Sequence, residues 1–167
     1  MRFRARYDQR PLRGHLLYVA EDYAIDFEPE SQAEFDSHSG ELGRATLGID
    51  TLQLEAGLQA GRIVGIWGYF PRPGWKASRL PLPAAKEGAV EVDFERSVES
   101  GSSYSITGTP MWPRRFDASS GWVMTGKDDS MSAEYVEPLQ GVVLGIADGN
   151  LVQLWMRPVF VDKRLTE

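Results

Sequence analysis

The chain of 167 residues has no cysteine, two histidines (His15 and His38) and a formal net charge of -6. These counts exclude disulfides, thiol chemistry, iron–sulfur clusters, cysteine-ligated zinc and a three-histidine metal site within one chain. An acidic whole speaks against general nucleic-acid binding, which needs a basic face for the phosphates, and 42% hydrophobic with 25% charged residues is a globular composition.

The length is that of one domain, here 1–167 without a compositional break. Glycine (17) and proline (10) punctuate it so densely that no stretch free of both exceeds fourteen residues. Helices of ordinary length have little room, so a mainly β fold is expected, with at most short helices. An antiparallel sandwich or a partly closed barrel built from hairpins fits this spacing. The purely apolar runs reach about six residues, near 142–147, far short of the ~20 that a membrane helix needs.

The chain opens on MRFRARYDQR, with arginines where a secretory signal would be apolar, so a cytoplasmic protein is expected. Phe3, Ala5 and Tyr7 alternate with Arg2, Arg4 and Arg6, the period of a strand. Residues 14–43 hold no lysine or arginine but carry Glu21, Asp22, Asp26 and Glu28 among other acids. Pairing of the arginine strand with the 22–28 segment would set arginines against carboxylates across a ladder. The stretch 15–28 has both helical and strand spacing; its Tyr, Val, Ile and Phe favour two strands with a turn near Glu21 and Asp22.

Further strands are expected at 45–55, 62–70, 89–96, 103–107, 121–125, 132–137, 142–147 and 150–157, with short helices at 32–36 and near 84–86. Asp148-Gly149 between two apolar runs predicts a two-residue hairpin turn. Residues 72–87, rich in proline, read as a long surface connection. Residues 61–67 (GRIVGIW) echo 149–155 (GNLVQLW), each after a Leu-Gly-Ile triplet; the likeness reads as two hairpin return strands of similar composition rather than as a duplication. Gly65-Ile66-Trp67 resembles a lipocalin signature, but it lies mid-chain, and no family follows from it.

Catalytic motifs are weak. Residues 121–128 approach a phosphate-binding loop, but Asp128 replaces the magnesium-binding hydroxyl and Asp129 adds repulsion, so 126–130 reads as a hairpin loop. Asp36, Ser37 and His38 are too close in sequence for triad geometry and read as a polar turn. Asp50 interrupts an apolar strand and reads as an outward residue or a bulge. No cofactor and no metal is expected.

Five tryptophans remain. Tyr69, Arg72 and Trp75 in 69–76, and Trp112 and Arg115 in 110–116, belong to proline-stiffened segments that mix aromatic and basic residues (the second begins at Pro110). Such residues anchor binding sites, or they fold back to cap the β core. In strand geometry Trp67 shares a face with Ile63, Gly65 and Tyr69, and Trp155 with Leu151, Gln153 and Arg157. The leading functional expectation is a non-enzymatic protein-binding module, such as a small inhibitor, immunity or accessory protein. It would bind through the aromatic/arginine loops or the acidic 14–43 region. The alternatives are a small-molecule or carbohydrate-binding barrel with Trp67, Tyr69 and Trp155 lining a pocket, and a carboxylate-dependent hydrolase.

Overall fold

The computed structural model describes residues 1–108, 111–127 and 132–164. Along the chain run β1 (Arg2–Arg6), β2 (Gly14–Val19), β3 (Ala24–Pro29), α1 (Gln32–Ser39), β4 (Arg44–Ile49), β5 (Leu52–Gly57), β6 (Ile63–Tyr69), β7 (Lys76–Ala77), β8 (Lys86–Glu87), β9 (Ala89–Asp93), β10 (Ser103–Ser105), β11 (Arg114–Asp117), β12 (Trp122–Gly126), β13 (Glu134–Leu139), β14 (Val142–Ala147), β15 (Asn150–Met156) and β16 (Val159–Val161). The first sheet has the order β10-β4-β5-β6-β3-β2-β16, the second β7-β11-β12-β15-β14-β13-β8, and β1 pairs with β9 in a separate ribbon. The sheets pack as a sandwich, and among the described residues no barrel closes.

Local sequence chemistry explains most elements. Leu52, Leu54 and Ala56 of β5 point into the core while Gln53 and Glu55 stay half-exposed, the alternation of a sheet with one wet face. Residues 15–28 form β2 and β3 around a tight turn at Ala20–Asp22. Asp148 (φ 52°) and Gly149 (φ 77°) make the expected hairpin turn between β14 and β15. α1 begins at Ser31, whose side chain accepts the N–H of Glu34 at 3.2 Å as an N-cap.

Several expectations are corrected. The span 45–55 is two strands, because Asp50 (φ 55°) and Thr51 form a two-residue turn. The change of apolar parity there is a chain reversal and not a bulge. α1 continues through Asp36, Ser37 and His38, which are helical and not a polar turn. Residues 84–86 hold no helix; Lys86 and Glu87 add a short strand beside β13. β11 and β16 are strands in segments that showed no strand signal, since each is short and flanked by proline. β1 does not pair with β3. It pairs with β9, where Arg4 lies opposite Glu91, and Arg6 Nε reaches Glu91 at 2.5 Å. The arginines do meet a carboxylate across a ladder, but a distant one. Pro110, Asp128, Asp129 and Ser130 lie outside the described residues.

The two sheets repeat one topology. β2 to β6 lie in the order β4-β5-β6-β3-β2, and β11 to β15 in the order β13-β14-β15-β12-β11. Neighbours are antiparallel throughout both sets. β7 adds in parallel to β11, and β16 adds in parallel to β2, so each half lends an edge strand to the other's sheet. β1 and β9, which precede the halves, pair antiparallel with each other, as strands about an approximate two-fold axis would.

Registers agree as well. Ile49 and Leu52 flank the β4–β5 turn as Leu139 and Val142 flank the β13–β14 turn. The β5–β6 ladder shifts between Glu55 and Ala56, the β14–β15 ladder between Gly145 and Ile146. Trp67 lies opposite Gln53 and Asp26, and Trp155 opposite Val143 and Met124. The echo between 61–67 and 149–155 is therefore one of position in a repeated topology, not of strand composition alone. The Leu-Gly-Ile triplets are not equivalent, since 47–49 is in β4 whereas 144–146 is in β14, the counterpart of β5. The shared bulges also correct the predicted faces. An extra residue, Val64 or Val152, reverses the alternation and turns Ile63 and Leu151 into the core, away from the tryptophan two turns of pleat later.

Between the sheets Leu47, Leu54, Ile66, Val136, Leu144 and Leu154 are buried in one cluster. Each such side chain contributes about 1.5–3 kcal/mol of transfer free energy. Where β2 and β11 approach, Trp75 fills the gap, with its ring centroid 5.0 Å from Tyr18, 5.3 Å from Phe70 and 5.3 Å from Phe116. Phe160 of β16 completes this aromatic plug, 5.4 Å from Tyr18 and 5.8 Å from Phe116.

The segment 78–85 has an unusual course. It leaves β7 at one edge of the second sheet and reaches β8 at the opposite edge. Six strand spacings amount to about 29 Å, and nine extended residues reach about 30 Å. It is thus a taut strap across the sheet's outer face, and Pro81 and Pro83 suit it because they hold an extended backbone that needs no ladder bonds. Leu80 is buried beneath it against Met124, Val143 and Trp155, in a cluster separate from the main core. Ser78 N–H bonds to the Phe116 carbonyl at 2.9 Å, and Leu80 N–H to Asp117 Oδ2 at 2.9 Å.

Candidate binding face

Among the described residues no strap crosses the outer face of the first sheet. Trp67 is 44% exposed, Tyr69 52% and Tyr23 40%. Trp67 and Tyr69 are two apart on β6 and project from one face. The Trp67 ring is held by a hydrogen bond from its Nε1 to Glu55 Oε1 at 3.1 Å, and the Tyr69 ring meets Tyr23 edge-on at 6.3 Å. Gly65 sits beside them, and a Cβ there would approach Glu55 Oε2 to 3.1 Å.

Beyond Trp67 the cross-strand row continues through Asp26 and Leu17 to Val159. There a groove of ≈ 960 Å³ runs between β2, β3 and the segment after β16, lined by His15, Leu17, Asp26, Glu28, Phe160 and Arg164 among others. Arg164 lies over this groove, with Nη1 2.8 Å from Asp26 Oδ2 and Nε 3.9 Å from Asp22 Oδ2. Glu55 has Arg44 at 3.6 Å. Aromatic rings, carboxylates and exposed edges thus share one surface that can take apolar rings and cations.

The matching surface of the second sheet is occupied from within. Trp155 is 5% exposed, with Trp122 edge-on at 6.5 Å and Leu80 of the strap against it. Its Nε1 donates to Gln153 Oε1 at 3.0 Å. A smaller cleft of ≈ 420 Å³ beside the strap is lined by Arg79, Arg115, Tyr135 and Trp155 among others.

The residues singled out from sequence therefore fall in four places. Trp67 and Tyr69 stand together on the open face. Arg72 and Trp75 belong to the aromatic plug, where the Arg72 guanidinium lies 5.5 Å from the Phe116 ring and 5.3 Å from the Phe160 ring. Trp112 packs half-buried against the main core, with its backbone N–H on Asp50 Oδ2 at 3.1 Å. Arg115 and Trp155 share the strap-side cleft of the second sheet. Trp67 and Trp155 lie on outer faces of opposite sheets, so the pocket that would join Trp67, Tyr69 and Trp155 does not form.

Near Trp112 lies a buried cation that sequence reasoning passed over. Arg114 is 8% exposed, and its guanidinium sits 4.4 Å from the Phe70 ring centroid. Burial lowers its pKa from the ordinary arginine value, and Asp50 and Tyr18 oppose that fall. Nη2 donates to Thr51 Oγ1 at 3.3 Å, and Nε has no hydrogen-bond partner. An arginine facing inward from a strand has no local signature; only the register with Thr125 of β12, itself buried, reveals its direction. Asp26 and Glu55 were also missed as site residues, because any of the 24 acids fits a carboxylate role by type alone.

No protein-family model matches the chain, and no curated protein matches it. Among the described residues no helix is long and apolar enough to cross a membrane.

Proposed function

We propose that this chain is a non-enzymatic, cytoplasmic protein-binding module whose recognition surface is the outer face of the first sheet. The supporting observation is the unequal treatment of two equivalent tryptophans: Trp155 is covered by the chain's own strap, whereas Trp67 and Tyr69 stand open at 44% and 52%. Exposed aromatics on a rigid sheet supply contact area at low entropy cost, and the neighbouring carboxylates supply orientation. The proline-stiffened loops that first pointed to binding contribute Arg72 and Trp75 to the aromatic plug, so the binding role passes to the sheet face between them and the acidic strand β3.

Photo-crosslinking in cells of the source organism tests this reading. A photoreactive amino acid replaces Gln53, beside Trp67, or Ala118, an exposed turn residue far along the chain. One discrete protein adduct from position 53, absent from position 118 and lost when Trp67→Ala and Tyr69→Ala are added, is expected. Equal adducts from both positions, or none from position 53, would overturn the proposal.

A further inference from the structure

The strap gives this molecule its own template for what an outer sheet face binds. Counting from the matched pairs Phe160–Tyr18 and Ala77–Phe116, Lys163 is the sequence counterpart of Leu80, but it is exposed, whereas Leu80 is buried against Trp155. The surfaces beneath these two positions differ in a consistent direction. Under Leu80 lie Met124, Val143, Trp155 and Tyr135. The register equivalents on the first sheet are Asp26, Gln53, Trp67 and Thr46. The tryptophan is kept, and three apolar or aromatic neighbours become an acid and two polar groups. An aliphatic side chain laid there would strand a carboxylate and an amide; a cation would satisfy both and stack on the indole.

The first sheet already accepts such a group. Arg164, the residue after Lys163, reaches Asp26 at 2.8 Å and Asp22 at 3.9 Å. The Glu21 N–H bonds to the Asp162 carbonyl at 2.9 Å, which carries the β16–β2 pairing past Val19, and from there the Arg164 side chain reaches over β3. Among the described residues nothing covers Trp67 and Tyr69 beyond it.

We propose that the outer face of the first sheet binds an extended, proline-containing, basic segment of a partner protein, laid across the strands as residues 78–85 lie across the second sheet, with an arginine or lysine over Trp67 and Asp26. This rests on the protein-binding reading and names the chemistry of the partner. The groove of ≈ 960 Å³ and the row Trp67, Asp26, Leu17 and Val159 give the path. Proline keeps the segment extended before it binds, which lowers the cost of ordering it. Arg164 holds Asp26 in the free protein and yields it to the incoming cation.

The probe is a synthetic peptide of residues 78–86 carrying Leu80→Arg, titrated into the full chain and followed by amide and indole NMR shifts. Saturable shifts at Asp26, Gln53, Trp67 and Tyr69, with none at Trp155, are expected. Affinity falls at least about tenfold for a Leu80→Glu peptide, for a peptide with both prolines changed to alanine, and for the Asp26→Asn, Glu55→Gln protein. It rises in the Arg164→Ala protein. No saturation at millimolar peptide, or binding that survives Trp67→Ala, overturns the inference, as does an oligosaccharide that shifts the same signals when the peptide does not. A discrete crosslinked partner at position 53 together with no peptide binding rejects the basic segment but keeps the protein-binding reading; failure of both rejects both.

Discussion

Trp67 and Trp155 occupy the same register position in two sheets of one topology, one opposite Gln53 and the other opposite Val143. They are 44% and 5% exposed. Both follow the same bulge and come directly after a core residue, Ile66 or Leu154. The difference comes from their surroundings: Leu80 of the strap, with Trp122, Met124 and Val143, packs on Trp155, whereas Trp67 has Asp26 and Gln53 across the ladder and, among the described residues, no strap above it.

The two tryptophans should respond differently to truncation. Trp155→Ala removes a buried ring from the Leu80 cluster and should cost about 3 kcal/mol or more. Trp67→Ala removes a ring that is largely in water and should cost less than about 1 kcal/mol. Urea unfolding followed by circular dichroism reads both, and near-equal losses would contradict the assigned burial.

Leu80 is the strap's anchor. Leu80→Ala should lose about 2–3 kcal/mol, and amides along β12 and β15 that lie beneath the strap should exchange faster. Hydrogen exchange in the variant, resolved by residue, makes the check; unchanged protection at Met124 and Trp155 would show that the strap does not hold that face.

Asp117 ties strap stability to pH. Its carboxylate accepts the Leu80 N–H, and also the Ser119 N–H at 3.0 Å and hydroxyl at 2.6 Å, which holds its pKa down at about 2. A folded pKa below the unfolded value of ~3.9 stabilises the protein above that value. That contribution drains away as pH falls from about 4 toward about 2. Trp155 fluorescence should shift to the red through this window as the strap loosens. Asp117→Asn should lack the transition, and a wild-type emission constant down to pH 2 would reject the anchor.

The ribbon of β1 and β9 makes a charge-swap prediction. Arg6 and Arg4 reach Glu91 at 2.5 Å and 3.8 Å, while Arg4 is not paired with β3. Glu91→Arg should therefore be partly rescued by Arg6→Asp in thermal melts. Arg4→Asp combined with Asp26→Arg should show no rescue, since Asp26 answers to Arg164 instead. Rescue in the second pair would restore the β1–β3 pairing that the alternation of charges first implied.

Much of the strand inventory was legible because its causes are local. Alternation marks a strand with one wet face, and Asp148-Gly149 marks a turn through its tolerance of positive φ. β11 and β16 were not legible: three or four residues beside prolines carry no period, and β16 becomes a strand by pairing with the edge of β2 in the other half, β11 by pairing with β12 of its own half and with β7. The Asp50 turn was hidden for a similar reason, since two apolar strands meeting at a two-residue turn look like one strand that changes face.

The sequence alone determined a mainly β chain of short strands with aromatic residues set among prolines, since backbone geometry and turn chemistry act over a few neighbours. It also held the echo of 61–67 in 149–155, but composition alone could not raise that above coincidence. The tertiary structure decided which strands pair, that β1 meets β9, and that the echo is a shared position. It also decided which tryptophan faces water. That last outcome depends on where residues 78–85 cross, some seventy residues from Trp155 in sequence, and burial by a distant segment leaves no mark in the strand it covers.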